Sequence, residues 1–170
     1  GLISSGVELP LAEIEDVIPL GHGALRAVAR AATEYLINTA EGTPAEPARW
    51  AHPLAIRLSE DGHSSDALEV ALKAVRHYRT SASASHDMYL PELAMSLNTL
   101  ATILSAVGDS HDGVVIAREA VDLYRGLADI SSEEYKPALA LSLNTLANSL
   151  SEIGNSAQAL VLMNEAVEIY

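Results

Sequence analysis

Tyr89-Leu90-Pro91-Glu92-Leu93-Ala94-Met95-Ser96-Leu97-Asn98-Thr99-Leu100-Ala101 returns 46 residues later as Tyr135-Lys136-Pro137-Ala138-Leu139-Ala140-Leu141-Ser142-Leu143-Asn144-Thr145-Leu146-Ala147. The likeness continues past this stretch. Gly108 returns as Gly154, Glu119-Ala120-Val121 as Glu165-Ala166-Val167, and Tyr124 as Tyr170. Residues 89–124 and 135–170 share 19 identities in 36 positions. A weaker copy precedes them at the same offset. Leu54-Ala55, Leu58, Gly62, Ala74-Val75 and Tyr78 match Leu100-Ala101, Leu104, Gly108, Ala120-Val121 and Tyr124. Self-similarity at a fixed period is the mark of a repeat architecture. The repeats span 43–88, 89–134 and 135–170.

Each copy reads as two helices. Leu93, Leu97, Leu100, Ala101 and Leu104 recur at spacings of three and four, which place them on one helical face. Gly108 ends that run where a left-handed residue is needed. Asp109 with Asp112, and Asn155 with Gln158, are spaced as capping boxes at the start of the second helix. That helix presents Val114, Ala117, Val121 and Tyr124. Small residues mark close approach between the two helices: Ala101 and Ala147 on the first, Gly113, Ala120, Ala159 and Ala166 on the second. A polar loop of about ten residues is expected between copies. Pro91 or Pro137 would sit near the next helix start, where a missing N–H costs little, and Ser131-Ser132-Glu133-Glu134 would cap that start. Pro53 falls inside the first helix of the first copy, so that helix either bends or begins near His52. A helix pair with one apolar stripe per helix cannot bury itself alone, so the copies must stack.

Residues 1–42 fall outside the period. Leu11–Ile18 is expected as a short helix ended by Pro19. Ala24–Ala40 reads as a longer one with Leu25, Val28, Ala29, Ala32, Leu36 and Ile37 on one side. This N-terminal helical segment would cap the first repeat or end a preceding domain, with Glu41–Pro47 as a turn-rich joint. The chain has no initiator Met, and its last repeat stops at Tyr170, whereas Arg79 and Arg125 follow the matching tyrosines. Continuation in a longer natural protein is expected.

Composition narrows the function. Ten Lys and Arg stand against 23 Asp and Glu. A nucleic-acid surface needs clustered cations to neutralise phosphates, and an anionic membrane needs the same, so neither is an expected partner. The absence of cysteine excludes disulfides, thiolate zinc sites and cysteine nucleophiles, and fits a reducing compartment. With no leader at Gly1–Leu9, a cytoplasmic location is expected. Apolar residues are 49% but aromatics only 4%, so the core must be aliphatic.

No catalytic constellation stands out. His22, His52, His63, His77, His86 and His111 form no His-x-x-x-His or His-Glu-x-x-His pair. His86-Asp87 and His111-Asp112 read as exposed loop and turn residues, and His63 as a helix-start residue. Gly21-His22-Gly23 is too short for a phosphate loop, and no Gly-x-Ser-x-Gly is present. No enzyme, no metal and no cofactor is expected.

The residues that recur here resemble those of the tetratricopeptide repeat family. Its pattern is met by Leu97, Leu100-Ala101, Leu104, Gly108, Gly113 and Ala120. It is met again by Leu143, Leu146-Ala147, Leu150, Gly154, Ala159 and Ala166. The period exceeds the family's usual ~34 residues. The long form, with its Leu-Asn-Thr-Leu-Ala stretch, is similar to repeats of kinesin light chains and of multidomain regulators in actinobacteria. The resemblance implies an all-α, right-handed superhelical solenoid of antiparallel helix pairs. It also implies a concave groove lined by the first helix of each pair, which binds a peptide or protein.

Carried over by position, the groove residues are Asn98, Thr102, Ser105 and Ala106, then Asn144, Asn148, Ser151 and Glu152. In the first copy they are His52, Ile56, Ser59 and Glu60. The asparagines would either read a peptide backbone or tie adjacent repeats. The groove lacks the cation pairs that capture a C-terminal carboxylate, since Lys73 and Arg76 lie on a second helix, so a neutral or basic segment is expected. Another domain of the same full-length protein is an equal candidate for the partner. The competing reading is a structural spacer or oligomerisation scaffold with no groove ligand, including a homodimer through the C-terminal helix.

Overall fold

The computed structural model describes residues 45–84 and 88–169, with side chains from Ala51 onward. The N-terminal helical segment expected over 1–42 lies outside the described residues, as do His22 and His86. Six helices run in order: α1 (Ala45–Glu60), α2 (Ser64–Ala84), α3 (Leu90–Ala106), α4 (Ser110–Ile130), α5 (Ser132–Glu152) and α6 (Ser156–Ile169). Odd-numbered helices are the first of each pair, here the A helices, and even-numbered ones the B helices.

The turn inside each pair is the most regular feature. Gly62, Gly108 and Gly154 all have positive φ, at 80, 87 and 83°. A side chain at that φ would be strained. The residue after each glycine donates its N–H back to a leucine carbonyl: His63 to Leu58, Asp109 to Leu104 and Asn155 to Leu150, each at 2.8 Å. The glycine N–H reaches Ser59, Ser105 and Ser151 in the same way. These paired bonds satisfy the orphan carbonyls of the A helix and aim the B helix back along it.

The stripes read from the sequence are buried. Leu93, Leu97, Leu100, Ala101 and Leu104 are at most 8% exposed. One apolar cluster joins α1 and α2 to α3, and a second joins α4 to α5 and α6. Leu90, Ile116 and Leu123 pack on both, so the core runs through the array. Ala101, Ala120 and Ala147 are fully covered. A Cβ at Gly113 would stand 3.4 Å from the Ala101 carbonyl oxygen and from Ser105 Oγ, so α3 and α4 are in close contact there.

The two rows of helices are spaced differently. Each A helix packs directly on the next, α1 on α3 and α3 on α5. Successive B helices are instead bridged by long side chains. Arg79 pairs with Glu119, and Arg125 Nη2 lies 2.8 Å from Glu165 Oε1, both rungs spanning 40 residues. The array therefore curves with the A helices on the inside.

Several local expectations are corrected. Only Ser131 separates α4 from α5, not a loop of about ten residues. Helix α5 begins before its proline and carries Pro137 inside, whereas Pro91 stands at the start of α3. Glu133 and Glu134 fall in the first turn of α5, where the helix dipole favours carboxylates. No capping bond forms from the Ser131 side chain. Asp109 likewise makes no side-chain cap bond. Asn155 does, since its Oδ1 accepts the Gln158 N–H at 3.4 Å and its Nδ2 donates to Gln158 Oε1 at 3.1 Å. An aspartate has no N–H to offer, and Asp112 would meet it with like charge. Helix α1 runs from Ala45 through Pro53, so it does not begin near His52, and the last residues of the 41–47 joint are helical.

Candidate functional site

The polar stripe of the A helices is the part of the array that the core does not consume. Asn98 and Asn144 are half-buried. Thr102, Asn148, Ser151 and Glu152 are exposed, and Ser105 is half-buried. They divide by what they bond. Thr102 turns its hydroxyl back to the Asn98 carbonyl at 3.0 Å, as helical threonines commonly do. Ser105 Oγ meets Ser149 Oγ of the next repeat at 2.9 Å. Glu152 accepts a bond from the Ser110 hydroxyl at 2.6 Å, joining the end of α5 to the start of α4. Two of the seven predicted residues therefore hold repeats together.

The asparagines do not. Among the described residues, no side-chain hydrogen bond from Asn98, Asn144 or Asn148 reaches a neighbouring repeat. Asn98 Oδ1 is buried and without a partner. Ser151 is also without a side-chain bond among the described residues.

The first repeat departs from the stripe. His52 stands at the register of Asn98, yet its Nδ1 bonds the Thr99 hydroxyl of the next repeat. That hydroxyl donates to the Met95 carbonyl at 2.9 Å, so its oxygen accepts and His52 Nδ1 carries the hydrogen. Burial lowers the His52 pKa, because the imidazolium loses its water shell. Ile56 and Glu60 are exposed and Ser59 is half-buried.

Three features escaped the reading of the sequence. Ser96 and Ser142, one period apart, are 2% and 0% exposed, and neither hydroxyl has a partner. They lie on the face that each A helix turns to the preceding repeat. The Arg–Glu rungs between B helices are the second. Their signal was present, since Tyr78-Arg79 and Tyr124-Arg125, and Glu119 and Glu165, all recur at the repeat offset. The third is a small acidic and phenolic cluster. Burial, then the nearby Glu92 carboxylate, then Tyr135, push the Tyr124 hydroxyl up to about 12. Glu92 Oε2 is buried without a partner.

The histidines do not converge. His63 and His111 are exposed at helix starts, and His77 lies edge-on to Tyr78 at 5.6 Å between ring centres. Among the described residues no group of three His, Cys, Asp or Glu could hold a metal ion. Lys73 and Arg76 are exposed on α2, and Lys73 pairs with Glu69 at 2.7 Å.

Stacked helix pairs with a shared core, glycine turns and small residues at the crossings define a helical-repeat solenoid. Residues 139–170, spanning most of the third pair, match the model of the tetratricopeptide repeat family. The other two pairs carry the same turn and core residues in register, so all three pairs are similar to tetratricopeptide repeats. No curated protein matches it. Such repeats are non-catalytic scaffold units that mediate protein–protein interaction. Among the described residues no helix is long and apolar enough to cross a membrane.

Proposed function

We propose that the inner row of A helices receives an extended peptide or protein segment along Asn98, Thr102, Asn144, Asn148 and Ser151, with Ser105 and Glu152 at its margin. The observation that carries this is the division of labour on the stripe. Ser105–Ser149, Ser110–Glu152 and His52–Thr99 tie the repeats. The asparagine carboxamides are left over; Asn144 and Asn148 each offer both a donor and an acceptor to a peptide backbone, while Asn98, whose Oδ1 is buried, offers its amide N–H. The chain's 23 acidic against ten basic residues favour a neutral or basic segment. In this reading the array is the sensor or regulatory arm of a larger, cytoplasmic bacterial signalling protein of the long-repeat type. Its ligand is a separate protein or another domain of the same one.

The test is a displayed library of random peptides selected on the chain and then measured against the Asn98→Ala/Asn144→Ala variant. Two lost hydrogen bonds should weaken binding by about tenfold or more while the thermal midpoint stays put. Failure to enrich any peptide, or equal binding to both proteins, refutes the groove and leaves the spacer reading.

A further inference from the structure

Two buried polar atoms without partners stand at one level of the seam between α3 and α5. In that seam Ser105 Oγ meets Ser149 Oγ at 2.9 Å. Asn98 precedes Ser105 by seven residues, and Ser142 precedes Ser149 by seven. Seven residues are close to two helical turns, about 10.5 Å of rise, so each returns to the same face of its helix. The A helices of successive pairs run parallel, which sets Asn98 opposite Ser142. Asn98 Oδ1 and Ser142 Oγ are both buried, and neither makes a hydrogen bond.

The hydrogens on this face of α5 single out Ser142. Thr145 gives its hydroxyl hydrogen to the Leu141 carbonyl, and Ser149 gives its own to the Thr145 carbonyl, each at 3.2 Å. Ser149 therefore accepts from Ser105. The Ser142 hydrogen is committed neither to its own helix nor to the next. A carboxamide oxygen can only accept, and Ser142 is the donor left for it.

We propose that Ser142 is a positioning residue for Asn98. When a peptide carbonyl takes a hydrogen from Asn98 Nδ2, the carboxamide turns until its Oδ1 accepts the Ser142 hydrogen. This role rests on the reading of the stripe as a peptide groove. The bond closes with ligand because members of a hydrogen-bond relay polarise one another, whereas fixing a free carboxamide costs rotamer freedom. Bound peptide thus satisfies two buried groups that the free chain leaves bare, and shifts the seam toward the paired state. Asn98 then offers the groove donors alone, so the bound segment must present a backbone carbonyl there.

The first seam supplies a control. Ser96, at the register of Ser142, is 2% exposed and equally unpartnered. Opposite it stands His52, whose Nδ1 already bonds Thr99. Ser96 has the same burial and no carboxamide to position.

The test titrates the peptide most enriched from the random library into the 170-residue chain by calorimetry. Ser142→Ala should raise its Kd by about fivefold or more, although the free variant is no less stable than the parent. Ser96→Ala should leave Kd unchanged. In an Asn98→Ala background, Ser142→Ala should weaken binding no further, because the group it positions is gone. An unchanged Kd for Ser142→Ala, equal losses for both serines, or a Ser142→Ala effect that persists without Asn98 overturns the positioning role and leaves the groove standing. If no peptide is enriched, the groove falls and this role falls with it.

Discussion

Replacing Ser142 with alanine should stabilise the protein. Ser142 is 0% exposed and its hydroxyl has no partner. Folding strips that hydroxyl of water and returns nothing, at a cost of about 1–3 kcal/mol. The residue lies inside α5, where alanine is the better helix former by about 0.5 kcal/mol. Against this stands a small void where the oxygen was, about 0.5–1 kcal/mol of lost contact. The balance is a gain of about 1–2 kcal/mol. For a chain of this size that is about 2–8 °C in thermal midpoint. The assay is urea unfolding followed by circular dichroism, with the slope compared between variants to confirm that the denatured state is unchanged. Ser96→Ala should behave alike, because Ser96 is 2% exposed and equally unpartnered. The two sites lie in different inter-repeat seams, so the double variant should be near-additive. A lower midpoint for either serine would refute the reasoning, since it would mean the hydroxyl is satisfied in solution.

Ala120→Leu, by contrast, should destabilise by about 1–3 kcal/mol, because Ala120 is 0% exposed and the added atoms must displace their neighbours; an unchanged midpoint would contradict the packing described. His52 should make stability depend on pH. Its folded pKa lies below the ordinary 6.5, so the unfolded chain binds the proton first, and stability falls as pH drops below about 6.5 toward the folded value. His77 is shifted the same way by burial, so His52→Gln should shrink the acid-side loss without abolishing it, as read from midpoints between pH 7 and 5. Tyr124 acts at the other end. With its phenol raised to about 12, stability should decline as pH climbs above 10, and Tyr124→Phe should flatten that decline.

The fold was legible because one stretch occurs twice. Alignment of Leu97-Asn98-Thr99-Leu100-Ala101 with its copy fixed the stripes, the glycine turns and the small residues at crossings. What failed was local. A proline near a helix start reads the same whether the helix begins at it or one turn earlier. The acidic turn at Glu133 and Glu134 decided for the earlier start in α5. Cap bonds at Asp109 and Ser131 failed because spacing does not report rotamers or charge repulsion. On the stripe, a helical wheel placed Asn98, Thr102 and Ser105 together. It could not distinguish Ser105, which reaches across to Ser149, from Asn98, which does not. That distinction depends on how far the next A helix is offset, a property of packing between repeats.

The unequal spacing of the two rows has a mechanical consequence. The A helices touch through short, interlocked side chains, so the inner row resists shear and extension. The B helices are tethered through arginines with several rotatable bonds, about half exposed at Arg79 and Arg125, and each such tether is weak. The array is a leaf spring with a stiff inner leaf and a compliant outer one. Its curvature can open or close by reshuffling surface ion pairs while the core stays intact. The radius of the inner row is thus a soft coordinate, set by ionic strength.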